Sequence, residues 1–66
     1  MEQHVERMLN EQKELCEKIG KLGNFISQNT IFDKMSNDEK YDMILQFEAM
    51  RIYSNVLQHR IDRAME

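Results

Sequence analysis

The sequence contains no proline and no tryptophan, only two glycines, and a single cysteine among its 66 residues. Proline and glycine are the residues least compatible with a helix interior, whereas the abundant Glu, Lys, Met, Leu and Gln lose little side-chain freedom there. The lone Cys16 excludes a disulfide within one chain. These absences predict an all-α protein that does not depend on a disulfide framework.

The chain also lacks an excess of positive charge, with a formal net charge of −3 and a pI near 5.3. A protein that coats polymeric nucleic acid needs a clustered basic surface, because its binding is driven by counterion release from the phosphates. The acidic balance argues against that class. It leaves room for a small phosphate ligand, which needs only a local pocket.

Membrane, metal and catalytic signals are missing as well. No apolar run approaches the roughly 18–20 residues that cross a bilayer, and the N-terminus is polar and charged rather than a signal peptide. His4 and His59 lie far apart, without a second ligand at helical spacing. No nucleophile–base order and no phosphate-binding glycine loop is present. We expect a cytoplasmic protein with no metal, no cofactor and no membrane partner, which is not an enzyme.

The first half of the chain predicts one long helix with an apolar face that needs a partner. A row with alternating spacings of three and four, the coiled-coil period, is formed by Val5, Met8, Gln12, Leu15, Ile19, Leu22 and Ile26. The polar Gln12 either fixes register or oligomer state, or simply hydrogen-bonds a neighbour or reaches solvent. Gly20 and Gly23 each cost a helix about 1 kcal/mol relative to alanine. Gly23 therefore either ends or kinks the helix, or lets another group come close.

Turn-forming residues follow the first helix. The polar stretch 27–30 offers Asn29 or Thr30 as the cap of a short helical segment over residues 31–35. Ser36 and Glu39 then form a capping box, which predicts the start of a second long helix.

The second helix has more apolar surface than one antiparallel neighbour can cover. Its row of three and four spacings comprises Met43, Phe47, Met50, Ser54, Leu57, Ile61 and Ala64, and it is widened by Ile44, Ile52, Tyr53 and Val56. A single core of this size supplies only about 3–5 kcal/mol of net stability. We expect one domain, residues 1–66, with a long kinked N-terminal helix, a short turn and a long C-terminal helix, antiparallel and interlocked in a homo-oligomer.

Residues spread over both predicted helices resemble the signature of the small phage-encoded anti-CBASS cyclic-nucleotide sponges, a crAss-phage-related family. They are Lys21-Leu22, Phe25-Ile26, Phe32, Met35, Gln46, Ala49-Met50, Tyr53, Leu57 and Arg60-Ile61. The resemblance spans Arg7 to Ile61. It implies a compact, interlocked homohexamer that binds cyclic dinucleotides, and in many members cyclic trinucleotides at separate pockets, without cleaving them. The host CBASS effector would then stay inactive in the cytoplasm of the infected bacterium.

A cyclic dinucleotide needs cations or donors for its two phosphodiesters and rings or guanidinium planes for its two bases. Lys21 is the best single cation, unless it is simply solvated. Phe25 is a candidate for base stacking, unless it is an ordinary core residue. The resemblance places Arg7 where family members stack an aromatic ring or an arginine on a base. Asn24 and Ser27 supply further donors for a phosphate.

The second helix offers a ring and two guanidinium groups. Tyr53 and Arg60 lie seven residues apart and therefore share a face. Arg60 and Arg63 serve either as phosphate ligands of a trinucleotide pocket or as complements to the helix C-terminus. The predicted ligand-binding residues are thus Arg7, Lys21, Asn24, Phe25, Ser27, Tyr53, Arg60 and Arg63. Two rival functions remain: an oligomerisation or adaptor protein without a ligand, and a phosphodiesterase.

Overall fold

The computed structural model describes residues 3–66 and shows two long antiparallel helices joined by a short one. Helix α1 spans Gln3–Gln28, α2 spans Thr30–Asp33, and α3 spans Asn37–Ala64. No described residue lies in a strand. The predicted all-α class and the order of long helix, turn and long helix are confirmed, and the short segment predicted over residues 31–35 is α2.

Side-chain caps define the starts of α2 and α3. The Asn29 Oδ1 atom accepts a hydrogen bond from the Ile31 N–H at 2.8 Å, so Asn29 rather than Thr30 is the cap. The Ser36 hydroxyl accepts from the Glu39 N–H at 3.2 Å. Each bond satisfies an amide that has no partner within its own helix. The helix start predicted from the capping box is confirmed.

The core lies in the seam between α1 and α3. Its buried members are Val5, Met8, Leu15, Leu57 and Ile61, with Leu9, Ile19 and Met50 packed against them. Leu57 is 0% exposed and Ile61 is 1% exposed. Phe32 is buried separately, in α2 at the turn end of the hairpin. The rows predicted from three and four spacings therefore supply the core.

A polar layer interrupts this seam. The Gln12 amide donates to the Ser54 carbonyl oxygen at 3.0 Å and to Gln58 Oε1 at 3.2 Å, and the Ser54 hydroxyl donates to Gln12 Oε1 at 3.2 Å. Of the two alternatives for Gln12, bonding to neighbours is the one observed within the protomer. Because these bonds form at only one alignment, they also fix the register of α1 against α3.

Both glycines lie inside α1 with ordinary helical backbone, so neither ends the helix. A Cβ atom built on Gly23 would lie 3.0 Å from Cε1 of the Phe47 ring, whereas one built on Gly20 would meet nothing within 4 Å. Gly23 therefore permits close approach of the two helices. Within the described part of the chain, Gly20 has no such neighbour.

The hairpin is long and thin, measuring 46 × 15 × 14 Å. Its radius of gyration is 14.8 Å, against about 11 Å for a compact chain of this length. Its accessible surface is 5261 Å², against about 4,450 Å² for a folded monomer of this mass. Each protomer thus exposes about 800 Å² more surface than its mass requires.

The excess surface includes a second side of α3, opposite the seam. We define the outer face of α3 as eight exposed residues at alternating spacings of four and three: Asp38, Asp42, Leu45, Ala49, Ile52, Val56, His59 and Arg63. Ile52 is 63% exposed and Val56 is 51% exposed. The apolar residues predicted to widen the second helix are thus left uncovered in the protomer.

Candidate functional site

The predicted ligand-binding residues separate into two groups along the hairpin. Lys21 and Phe25 lie near the turn, whereas Arg60 and Arg63 lie near the last residues of α3, and Arg7 lies near the start of α1. Lys21 and Arg7 are separated by about 21 Å of helix, at 1.5 Å per residue. One protomer therefore does not gather all of these residues into one pocket.

At the turn end, a pair of rings is fixed in place. The Phe25 and Phe32 rings meet edge to face, with centroids 6.2 Å apart and an interplanar angle of 86°. The Lys40 ammonium lies 5.7 Å from the Phe32 centroid. Phe32 is buried, and its ring packs against the half-buried Phe25. Phe25 is therefore packed on one side and accessible on another. The two roles predicted for it, an ordinary core residue and a ring that stacks a base, are compatible.

Lys40 was not among the predicted residues. The capping box places it in the first turns of α3, next to the turn, and that position could have drawn attention to it. Its contact with Phe32 could not be foreseen, because it depends on how α2 folds back between the long helices. With Lys21 and Lys34, it makes three cations at or near the turn end.

The other predicted donors at the turn end differ in availability. The Ser27 hydroxyl donates to the Gly23 carbonyl oxygen at 2.9 Å, so its proton is already used within the helix. Lys21 and Asn24 are exposed, and within residues 3–66 neither side chain makes a hydrogen bond or an ion pair. They are the donors at this end that a ligand would reach without breaking an existing bond.

At the other end, an open groove of about 370 Å³ is lined by His4, Met8, Arg60, Arg63 and Ala64. The two arginines lie three residues apart on α3 and both contribute to it. Planar guanidinium groups suit phosphate and flat bases, and the volume falls within the usual range of about 300–1,000 Å³ for small-molecule sites. His4 was not predicted as a lining residue, although it lies one turn before the core residue Met8.

A smaller hollow of about 220 Å³ lies on the opposite flank of the seam, lined by Cys16, Ile19, Arg51, Ser54 and Asn55. Its cation is already engaged. Arg51 pairs with Glu48 at 3.2 Å, and its guanidinium lies 5.8 Å from the Phe47 centroid. This hollow therefore suits an anionic ligand less well than the groove lined by Arg60 and Arg63 does.

Six of the eight predicted ligand-binding residues line neither depression, and two of these six lie outside the turn end as well. Arg7 is exposed on α1, and Tyr53 is 45% exposed on α3. Tyr53 shares a face with Arg60, as predicted, but the protomer does not close a pocket around the pair. Within residues 3–66 there is no cluster of three potential metal ligands. In the same part of the chain, no helix is apolar enough over 18 residues to cross a membrane.

Comparison with known proteins gives one finding. A family model described as Sequestin matches residues 2–63, which takes in both long helices and the turn between them. No curated protein and no solved structure matches the chain. The family name denotes sequestration, which is a binding role rather than a catalytic one. The family resemblance predicted from the sequence is confirmed, and the chain belongs to the Sequestin family.

Proposed function

We propose that the protein sequesters cyclic oligonucleotide second messengers without cleaving them. The ligands are cyclic dinucleotides such as cGAMP, and also cyclic trinucleotides. Their removal in the cytoplasm of an infected bacterium blocks CBASS immunity. The observation that carries this proposal is the open groove lined by Arg60 and Arg63, and it is supported by the aromatic pair at the turn end, over which Lys40 lies.

The turn end suits a cyclic dinucleotide. Lys21 is a free cation, Asn24 a free amide, and Phe25 a ring packed against Phe32. A ring that is already packed loses little side-chain entropy when it stacks a base. Lys40 adds a second cation near the same rings, in keeping with the two phosphodiesters of the ligand.

The groove at the other end suits a larger anion. Arg60 and Arg63 supply two guanidinium groups, and the Met8 thioether adds an apolar surface. We assign cyclic trinucleotides to this groove. The separation of the two ends agrees with the separate pockets that the family resemblance implies.

Assembly completes both sites. Arg7, Tyr53 and Lys21 lie too far apart in one protomer to touch one small ligand, so a shared pocket has to combine residues of different copies. We propose a homohexamer, as the resemblance implies. The excess surface of each protomer supports association.

Melting with and without nucleotide tests the proposal. Saturation at one hundred times Kd should stabilise the folded protein by about 2.7 kcal/mol through mass action. After proteolysis of the protein, chromatography should recover the nucleotide intact. New nucleotide products would instead indicate a phosphodiesterase, and the absence of any melting shift with every cyclic nucleotide would contradict sequestration.

Variants distinguish the two ends. Lys21→Met should abolish the shift with cyclic dinucleotide, and Arg60→Met should abolish the shift with cyclic trinucleotide, each leaving the other response in place. Lys13→Met is the matched control, because it removes the same charge from an exposed position of the same helix.

The competing function is an oligomerisation or adaptor protein without a small ligand. The exposed apolar residues of α3 favour association and would account for that function by themselves. It predicts a concentration-dependent Tm that no nucleotide changes.

A further inference from the structure

The groove at the end of the hairpin contains one group whose charge can change near neutral pH. His4 lines it together with Arg60 and Arg63, and all three side chains are exposed. An arginine does not lose its proton in a protein, whereas an imidazole gains or loses one between about pH 5 and 8. The groove therefore has two permanent positive charges and one group whose charge depends on pH.

The core anchors both sides of this groove. Val5, next to His4 in sequence, is 3% exposed, and Ile61, next to Arg60, is 1% exposed. Both belong to the buried cluster between α1 and α3. Because the backbone on each side is packed in this way, the imidazole and the guanidinium groups border the same space, and an anion in the groove would meet all of them.

The charged groups around His4 come from both long helices. Arg60 and Arg63 belong to α3 and line the groove with it. On α1, Arg7 follows one turn later, and Glu66 lies beyond the end of α3. Within residues 3–66, no carboxylate lines the groove. A proton on His4 would therefore be stabilised by an anion that lies between the imidazole and the guanidinium groups.

We propose that His4 takes up a proton from solvent when a cyclic trinucleotide enters the groove, and that the imidazolium N–H donates to a phosphodiester oxygen. This role rests on the proposed assignment of cyclic trinucleotides to the groove. Such a ligand carries three phosphodiester charges, whereas Arg60 and Arg63 offer two. His4 already interacts with another part of the chain, but an imidazolium has two N–H donors, and the phosphate needs only one.

Proton uptake would make the two ends of the hairpin respond differently to pH. The cations at the turn end are lysines, which stay charged across the neutral range. We expect cyclic trinucleotide to bind about tenfold more tightly at about pH 6 than at about pH 8, and cyclic dinucleotide to bind equally at both. The contribution of His4 is present at the acidic end of this range and is lost as the pH rises, because the bound state holds the additional proton.

Calorimetry on the full chain counts the protons directly. Titration with a cyclic trinucleotide of adenosine, in buffers of different ionisation enthalpy, gives the number of protons taken up per nucleotide bound. We expect net uptake near pH 7 with this ligand and none with a cyclic dinucleotide. The phosphodiesters of both ligands stay ionised in this range, so they do not account for a difference.

Three variants separate a charge on His4 from a structural role. His4→Gln keeps a hydrogen-bonding side chain and should bind the trinucleotide weakly at both pH values, without proton uptake. His4→Arg should bind tightly at both, also without uptake, because its charge is permanent. His59→Gln is the matched control: it removes the other imidazole, which is exposed and does not line the groove. It should bind and take up protons like the wild type.

The possible failures are distinguishable. Tight binding of the trinucleotide without proton uptake, or uptake that persists in His4→Gln, would overturn the role of His4 and leave sequestration standing. Weak binding by His4→Arg at both pH values would show that the shape of the imidazole matters rather than its charge, and would also overturn this role. If a folded wild type bound no cyclic trinucleotide at any pH, the assignment of the groove would be wrong, and the role of His4 with it.

Discussion

The two long helices differ in how much of their apolar surface the hairpin covers. In α1 the buried side chains Val5, Met8 and Leu15 all face α3, and the remaining surface is largely polar, so one neighbour satisfies it. In α3 the buried Leu57 and Ile61 cover only one side, and Leu45 and Ile52 are exposed on the other. The hairpin thus completes α1 but leaves α3 half covered. Helix pairing alone is insufficient for this sequence, because α3 is apolar on two sides.

Substitutions at two adjacent residues of α3, Leu57 on the seam side and Val56 on the outer face, should give the largest difference in effect between its two sides. Leu57→Ala removes a side chain that is 0% exposed and should cost about 2–5 kcal/mol, comparable with the whole stability expected of a core this small. Val56→Ala, one residue away at 51% exposure, should leave helicity unchanged and lower the stability of the oligomer instead. Circular dichroism and light scattering measure the two effects separately.

Equal loss of helicity in the two variants would remove the distinction between the faces. Such a result would mean that folding and association are one event, in which the hairpin does not form without its partner. The distinction would be supported if the Tm of the wild type rises with protein concentration and the Tm of Val56→Ala is lower at the same concentration.

Substitutions in the polar layer of Gln12 and Ser54 test what fixes the alignment of α1 against α3. Gln12→Leu leaves the Ser54 hydroxyl without its acceptor in a half-buried site and should cost about 1–3 kcal/mol. Adding Ser54→Ala removes both partners, and the double variant should regain most of that loss, because an apolar pair needs no hydrogen bond. Chemical denaturation of the single and double variants measures the coupling. Simple additivity would show that the two side chains do not depend on each other.

Much of the fold follows from the sequence for local reasons. The caps at Asn29 and Ser36 depend on residues within three positions, and the α1 row depends on spacing along one helix. Which of the two rows of α3 faces α1 is a different question, since both have the helical period. The match between Gln12 and Ser54, which are 42 residues apart, answers it. Only the assembled pair shows that match.

The candidate site was less predictable than the fold. Spacing alone places Arg60 and Arg63 on one side of α3, and both line the groove. The contribution of His4 requires the alignment of α1 against α3, and that of Lys40 requires the position of α2. The surplus apolar residues of α3 follow from the sequence, but only the packing of α1 shows that Ile52 and Val56 are left uncovered. Sequence identifies candidate ligands, but tertiary packing decides which of them share a space.

The smallest expected effect concerns the two glycines of α1, which lie three residues apart and accept the same substitution. Gly20→Ala gains helix propensity and should raise stability by up to about 1 kcal/mol. Gly23→Ala makes the same gain, but its Cβ would lie 3.0 Å from the Phe47 ring. The ring must move, so we expect no net gain or a loss. Denaturant midpoints at one protein concentration compare the pair.

Loss of stability in Gly20→Ala would be the informative exception. Among residues 3–66, no atom beyond the local backbone of α1 lies within 4 Å of a Cβ at that position, so a loss would indicate another copy that approaches the bare backbone. That result would place an interface on the flank of α1 beside the hollow at Cys16, in addition to the outer face of α3. A gain at low and at high protein concentration would show that this flank of α1 stays open to solvent.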